Sequence, residues 1–462
     1  MKGEKVKMKT IKAQFGFKGG VHPQYNKDLA AEQPIERLPL PKTLAISMSQ
    51  HLGAPAKCLV KKGDVVARGQ LIGERNGFIS ANVHSPAAGT VTAVEPRMGP
   101  TGNWVDAVIL ETAEDQSGEA AFMPPLDWKS ASVDELRARI NDAGLCGMGG
   151  AGFPTVVKLT PPPDKHCEYL ILNGAECEPY LTSDYRTMCE HADRIRLGVE
   201  IMRKILSGPG VRIAIEANKP AAIAAMEKAF ADIDGNVEIV VLPTLYPQGS
   251  EKHQIYACTK RLVPPGALPI SVGCVVENIS TVAALADAVE KGIPLVERVT
   301  TLSGDGIVRP CNILAPIGTS YADLVAFAGG EKEGVRKVIS GGPMMGFNVP
   351  SLQIATTKTT SGLLLFTSAR VFQYSSAPCI NCGSCVRACP MQLNPAYISR
   401  AVEANDIAMA EGFGVMNCLE CGACSFSCPA YRDVTQFCRR AKASIRAAAA
   451  AAKAKAAQKP TA

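Results

Sequence analysis

Apolar positions recur along this chain at two spacings, and the places where one gives way to the other divide it into parts. Residues 1–42 keep no sustained period and end in the proline-rich PIERLPLPK, so an irregular arm is expected there. From 43 to 129, short β-branched runs are cut at KKGD, RGQ, NG and AAGT, the cadence of a small sandwich with tight hairpins. Between 130 and 295 helical periodicity alternates with continuous apolar runs. Ser132 and Glu135 make a capping box before VDELRARINDAG, whose helix should end at Gly144. CEYLILNGAE reads as a buried strand entering a turn. RIRLGVEIMRKIL with VRIAIEA, then PAAIAAMEKAF with VEIVVLP, repeat helix and strand, which predicts a three-layer α/β domain on a largely parallel sheet. Residues 296–372 read as strand, turn, strand and a helix capped by Ser320 and closed by Gly329 and Gly330. Residues 373–440 are cysteine-rich, and the Ala/Lys tail of 441–462 is not expected to pack.

Composition supports a multidomain α/β protein: 462 residues exceed one compact core, and 41 Gly with 32 Pro imply many short elements and turns. No run approaches the roughly 18 to 20 apolar residues of a membrane span, and the lysine-rich start has no apolar segment after it, so a soluble, unexported chain is expected. The net charge of +6 sits at the ends, in MKGEKVKMKTIK and in the seven Lys/Arg after residue 433, leaving a net acidic body. A nucleic-acid reader carries its basic patch on a folded domain, so no nucleic acid is expected as partner. Basic tails suit an anionic membrane surface or an acidic partner, or are simply solvated.

The cysteines carry the strongest chemistry. CINCGSCVRACP and CLECGACSFSCP each space their thiols as CxxCxxCxxxCP. A 4Fe-4S cube takes four thiolates, three from a tight loop and one from the other motif. The motifs therefore interdigitate, with Cys379, Cys382, Cys385 and Cys428 round one cluster and Cys418, Cys421, Cys424 and Cys389 round the other. Zinc prefers two CxxC pairs and leaves the third cysteine and the CP ending without a use. Asn394 and Pro395 open a helix between the motifs, so this domain should be helical. The nine remaining cysteines, Cys438 among them, and the scattered histidines are expected to be structural.

GLCGMGGAGFPTVVKL contains the string GxGxxG, but it follows a helix, and Pro154 with three prolines from Pro161 leaves no room for a long crossover helix. A dinucleotide fingerprint needs the opposite order. Glycines can still turn several amides toward a phosphate, with Lys158 adding a cation; a ligand-free turn is the alternative. Residues 144–159 resemble the flavin loop in the flavoprotein subunit of respiratory complex I, where an arginine usually stands near Met148. LNGAECEPY, LYPQGSEKHQI and VVENIST resemble that family's other flavin and nicotinamide segments. The resemblance implies that Gly147, Gly149, Gly150, Gly152, Phe153, Lys158, Asn173, Glu176, Tyr246, Gly249, Asn278 and Thr281 hold FMN. It gives Glu176, Glu178 and Glu251 catalytic positions, with Glu178 facing the nicotinamide of NAD(H). The chain departs from the family at Ala175, Ser250 and Glu277, and the carboxylates could instead be helix caps or ion-pair partners.

Residues 43–129 are similar to the barrel-sandwich hybrid of biotinyl and lipoyl carriers, but IGERNGFISANVHSP lacks their modifiable lysine, which favours a docking or scaffold role. Residues 296–372 resemble a β-grasp, SLBB-like module. The order of parts, with FKGGVHPQYNK and SGGPMMG, resembles the RnfC family, a component of the Rnf ion-translocating electron-transport complex. That resemblance implies a peripheral subunit on the cytoplasmic face of a bacterial inner membrane. It would exchange hydride between NAD(H) and FMN and pass single electrons through two 4Fe-4S clusters to or from membrane and ferredoxin-interacting subunits. A cobalamin reductase of propanediol metabolism has similar parts in another order, and a cluster-only relay with a vestigial nucleotide pocket is the competing class.

Overall fold

The computed structural model describes residues 8–457 apart from 234, 372 and 376. Most of the lysine-rich start and the last residues of the tail thus lie outside the described residues. The central domain is built on five parallel strands in the order Lys9–Lys12, Val237–Leu242, Gly210–Glu216, Tyr169–Gly174, Cys274–Asn278. Alternation along each strand divides the core between two faces. Leu170, Leu172, Ile213 and Val275 meet helices α1 (Val133–Asp142), α4 (Ala192–Ile205), α5 (Pro220–Phe230) and α7 (Ile279–Glu290). Ile171, Ala214, Val240 and Val276 meet α6 (Glu251–Thr259) on the other face. The capping box of α1 forms as expected: Ser132 accepts from the Glu135 amide, and the Glu135 carboxylate accepts from Ser132 N.

Three of the predicted parts take the expected shape. A sandwich of one four-stranded and one three-stranded sheet encloses Leu44, Ile46, Ile72, Val83, Val91 and Leu110. A six-stranded mixed sheet carries the short helix Tyr321–Phe327, with Ser320 as its cap. The cysteine region is helical, its Pro395–Glu403 helix capped by Asn394. No helix among the described residues is long and apolar enough to cross a membrane.

Two expectations are corrected. The arm is not irregular: Lys9–Lys12 forms the edge of the parallel sheet, and Ile35–Arg37 pairs in parallel with Cys311–Pro316 at the edge of the mixed sheet. Open sheet edges recruit such segments because each supplies a row of unpaired backbone groups. The tail does pack at its start. Residues 434–457 form one helix in which Val434, Cys438 and Ala441 are buried on one face, and Lys442 donates to Cys418 O at 2.8 Å.

Candidate functional site

The glycine loop leaves α1 and returns on itself. Gly147 N donates to Phe153 O at 2.8 Å, Cys146 bridges Pro154, and only one helical turn follows, α2 (Thr155–Lys158). Gly149, Gly150 and Ala151 form an exposed crest. Among the described residues, the N–H groups of Gly149, Gly150, Ala151 and Gly152 make no well-formed hydrogen bond to the chain. A row of free amides on a glycine turn is an anion nest, and this observation fits a phosphate ligand. Side chains are excluded by contact: a Cβ on Gly149 would stand 2.6 Å from Asn278 Nδ2, and Gly152 has φ +69° with Thr359 and His51 against it. The loop is pinned from below. Met148 N donates to Thr281 Oγ1 at 2.9 Å, and the buried Arg298 donates through Nη2 to Met148 O at 2.6 Å.

The ends of two neighbouring strands complete this wall. Asn173 and Asn278 are register partners at the carboxyl ends of Tyr169–Gly174 and Cys274–Asn278. The chain leaves the first strand toward Gly210–Glu216 on the opposite side, so the two asparagines sit where the strand order reverses, the usual ligand crevice of such sheets. Asn278 caps α7 by accepting from Ser280 N and Thr281 N, and donates to Asp184 at 2.7 Å. Asn173 donates to Gly249 O at 2.9 Å and accepts from Gln254 at 2.6 Å. Gly249 lies against Ala175 O, where a Cβ would come within 2.5 Å. Lys158 Nζ donates to Val276 O at 2.7 Å and lies 3.6 Å from Glu251 and 4.0 Å from Glu277. Burial alone would lower its pKa, but the two carboxylates outweigh burial and raise it.

Glu176 and Glu178 have different surroundings. Glu176 accepts from Ser183 Oγ, Asp184 N and Tyr185 N at 3.2, 2.9 and 3.3 Å. Both its oxygens thus accept from the start of α3 (Ser183–Glu190). Glu178 accepts from the amides of Met344 and Met345 at 3.0 and 2.9 Å, supplied by SGGPMMG, where Gly342 lets the backbone close on the carboxylate. Burial pushes Glu178 up to about 7 although these amides pull it back. The Tyr246 hydroxyl lies 3.5 Å from Glu178 and donates to Cys421 O at 2.7 Å, joining the carboxylate to the cysteine loops.

Each cysteine quartet surrounds a small hollow. Cys389, Cys418, Cys421 and Cys424 line one, with Cys438 beside them; Cys379, Cys382, Cys385 and Cys428 line the other. No described cysteine is in a disulfide, and no three His, Cys, Asp or Glu among the described residues converge as they would on a single ion. Sulfurs spread round a cavity suit a cube and not one zinc. Sequence reasoning missed Cys438 as a lining residue. It also missed Arg298, an isolated cation in the strand ERVTTLS, and Lys27, which donates to the Glu178 carbonyl at 2.8 Å from within FKGGVHPQYNK.

Four family models match in chain order: the RnfC barrel sandwich hybrid domain at residues 15–115, the Nuo51 FMN-binding domain at 140–287, the SLBB domain at 299–348 and the 4Fe-4S dicluster domain at 378–432. The first begins inside the arm. The chain is 47% identical to the C-subunit of the proton-translocating ferredoxin:NAD(+) oxidoreductase complex of Clostridium ljungdahlii, over 95% of this chain and 96% of that one. It is 42% identical to the C-subunit of the Na(+)-translocating ferredoxin:NAD(+) oxidoreductase complex of Acetobacterium woodii, over 93% and 97%. With the C-subunit of the ion-translocating oxidoreductase complex of Rhodobacter capsulatus it shares 40%, over 87% and 78%. The chain is thus an oxidoreductase subunit with an FMN-binding domain and a 4Fe-4S dicluster domain. It belongs to the RnfC family of ion-translocating oxidoreductase complexes.

Proposed function

We propose that this chain is the NAD(H)-interacting subunit of a ferredoxin:NAD oxidoreductase, exchanging hydride between NAD(H) and FMN and relaying single electrons through two 4Fe-4S clusters to or from membrane subunits. The observation that carries this reading is the Tyr246 hydroxyl: it donates to Cys421 O while lying 3.5 Å from Glu178, so a cluster loop and the sheet-end crevice share one buried side chain. When bound, FMN supplies the exchange between hydride and single electrons, and each cluster carries one electron at a time.

The chain's own residues supply position and charge. The free amides from Gly149 to Gly152, with Gly147 and Phe153 closing their loop, take the FMN phosphate, and Lys158 supplies a cation. Asn173, Tyr246, Gly249, Asn278 and Thr281 set the crevice wall, and Glu176 supports it by fixing α3. Glu178 faces the nicotinamide and Glu251 balances Lys158. Cys379, Cys382, Cys385 and Cys428 hold one cluster, and Cys389, Cys418, Cys421 and Cys424 the other. The subunit sits peripherally on the cytoplasmic face of a bacterial inner membrane, and its membrane partners move the ion.

Anaerobic purification, acid release of flavin, iron counting and NADH-dependent dye reduction test the reading together. Flavin, iron for two cubes and NADH oxidation are expected. Clusters without flavin or NADH oxidation would leave a relay subunit, and cobalamin reduction by the isolated chain would point to the other enzyme class.

A further inference from the structure

At the sheet-end crevice, Glu277 is a buried carboxylate that no described residue hydrogen-bonds and that shares its one nearby ammonium with a second carboxylate. The strand Cys274–Asn278 delivers it beside Asn278, with Leu172 as its register partner across the sheet. The residue is 1% exposed, and among the described residues neither of its carboxylate oxygens has a hydrogen-bond partner. Leaving a buried carboxylate without donors is costly unless a ligand or a proton answers it.

The ionisable groups round it are few. From α2, Lys158 Nζ stands 4.0 Å away but already donates to Val276 O and leans 3.6 Å toward Glu251. From α6, Glu251 adds a second negative charge. From the glycine loop, Cys146 is held as a neutral thiol by burial. One ammonium therefore serves two carboxylates before any ligand arrives. A phosphate monoester brings about −1.5 to −2 more charge near neutral pH. With the nest amides free and Lys158 shared, a second anion beside this ammonium is repelled unless one carboxylate is neutralised.

We propose that Glu277 is the proton-uptake residue of the flavin pocket: as FMN settles against Lys158, a proton released by the buffer acid in the solvent moves onto this carboxylate. The inference rests on the FMN reading of the glycine loop. In balance, the Glu277 carboxylate gains one proton and becomes a neutral carboxyl, no electron moves, and the new O–H can donate where the bare carboxylate could not. Burial lifts this group to about 7, which puts the exchange within easy experimental reach.

The test uses the full chain stripped of flavin and titrated with FMN by fluorescence quenching and by calorimetry in two buffers of different ionisation enthalpy. Above pH ~7.5 the wild-type Kd should rise about tenfold per pH unit, with about one proton taken up per FMN bound. Glu277→Gln should bind FMN with a flat profile and no proton uptake. Riboflavin, which lacks the phosphate, should bind the wild type without a proton. Glu251→Gln, which removes the neighbouring charge that raises Glu277, should move the onset of uptake to lower pH. Equal uptake in wild type and Glu277→Gln, equal uptake with riboflavin and FMN, or an unmoved onset in Glu251→Gln would overturn the inference while leaving FMN binding intact. Failure of every form to bind FMN at any pH would overturn the flavin reading and this inference with it.

Discussion

The two cysteine quartets come from one repeated motif and each lines a small hollow, yet their settings differ. Round the near quartet, Cys389, Cys421 and Cys424 are buried and the body of the protein closes over the loops. Tyr246 donates to Cys421 O, Gly20 N donates to Ala388 O at 2.9 Å, and His253 Nε2 lies 3.3 Å from Pro390 O. Round the far quartet, Cys382 is exposed, Ile380 is 63% exposed, and Arg387 donates to Cys382 O and Ser384 Oγ within the same motif. Ligand spacing decides which group is held; burial and outer hydrogen bonds decide its potential and who can reach it. On the proposed relay, the near cluster meets the flavin side and the far cluster meets partners.

The strongest way to break that comparison is to remove one cluster at a time. Cys421→Ala should abolish NADH-dependent bleaching of both clusters, because the far one loses its only supplier. Cys382→Ala should keep roughly half the iron and leave the near cluster reducible by NADH, since on this order electrons reach the near cube before the far one. Anaerobic absorbance with iron counting reads both variants. Persistent far-cluster reduction by NADH in Cys421→Ala would reverse the assigned order.

Much of this arrangement was legible in the sequence. Local codes transfer well: CxxCxxCxxxCP predicts which sulfurs meet, and capping residues such as Ser132, Ser320 and Asn394 mark helix starts because one side chain and one amide suffice. What stayed hidden depends on distant partners. The use of SGGPMMG, whose amides hold Glu178 from 166 residues away, follows only from the docking of the mixed sheet on the central domain. The same holds for Arg298 beneath Met148 and for the arm, whose strands exist only because two sheets leave their edges open. For Glu176, the motif predicts a carboxylate, while its bonds to Asp184 N and Tyr185 N follow only from the packing of α3.

The flavin side of the comparison can be sharpened without touching either quartet. Gly149→Ala puts a methyl group 2.6 Å from Asn278 Nδ2, disturbing both the loop and the cap of α7. Losing such a cap costs about 1 kcal/mol, and bound FMN should fall about tenfold or more with iron unchanged. Retained flavin would place the phosphate elsewhere. Glu178→Gln should slow NADH oxidation about tenfold and leave the clusters intact. Burial raises Glu178 from 4.5 to about 7, so between those values the folded chain holds a proton the unfolded chain has lost. Stability contributed by this group therefore falls as pH rises through that window and levels off above it. Thermal unfolding at several pH values should show a shallower decline in Glu178→Gln, and an unchanged slope would deny the carboxyl its raised pKa.

The finest test acts on the single hydroxyl between the two halves. Tyr246 is fully buried, so Tyr246→Phe keeps the ring and removes the hydroxyl that donates to Cys421 O and lies 3.5 Å from Glu178. A neutral hydrogen bond contributes about 1 kcal/mol, and the carbonyl left behind stays buried beside a cluster ligand. Fewer donors near a cluster destabilise its reduced, more negative form, so the near cluster's potential should fall while the far cluster's stays put. A redox titration followed by electron paramagnetic resonance separates them. If the far potential moves as much as the near one, or neither moves, the hydroxyl is only a packing contact and the two quartets do not differ in their coupling to the crevice.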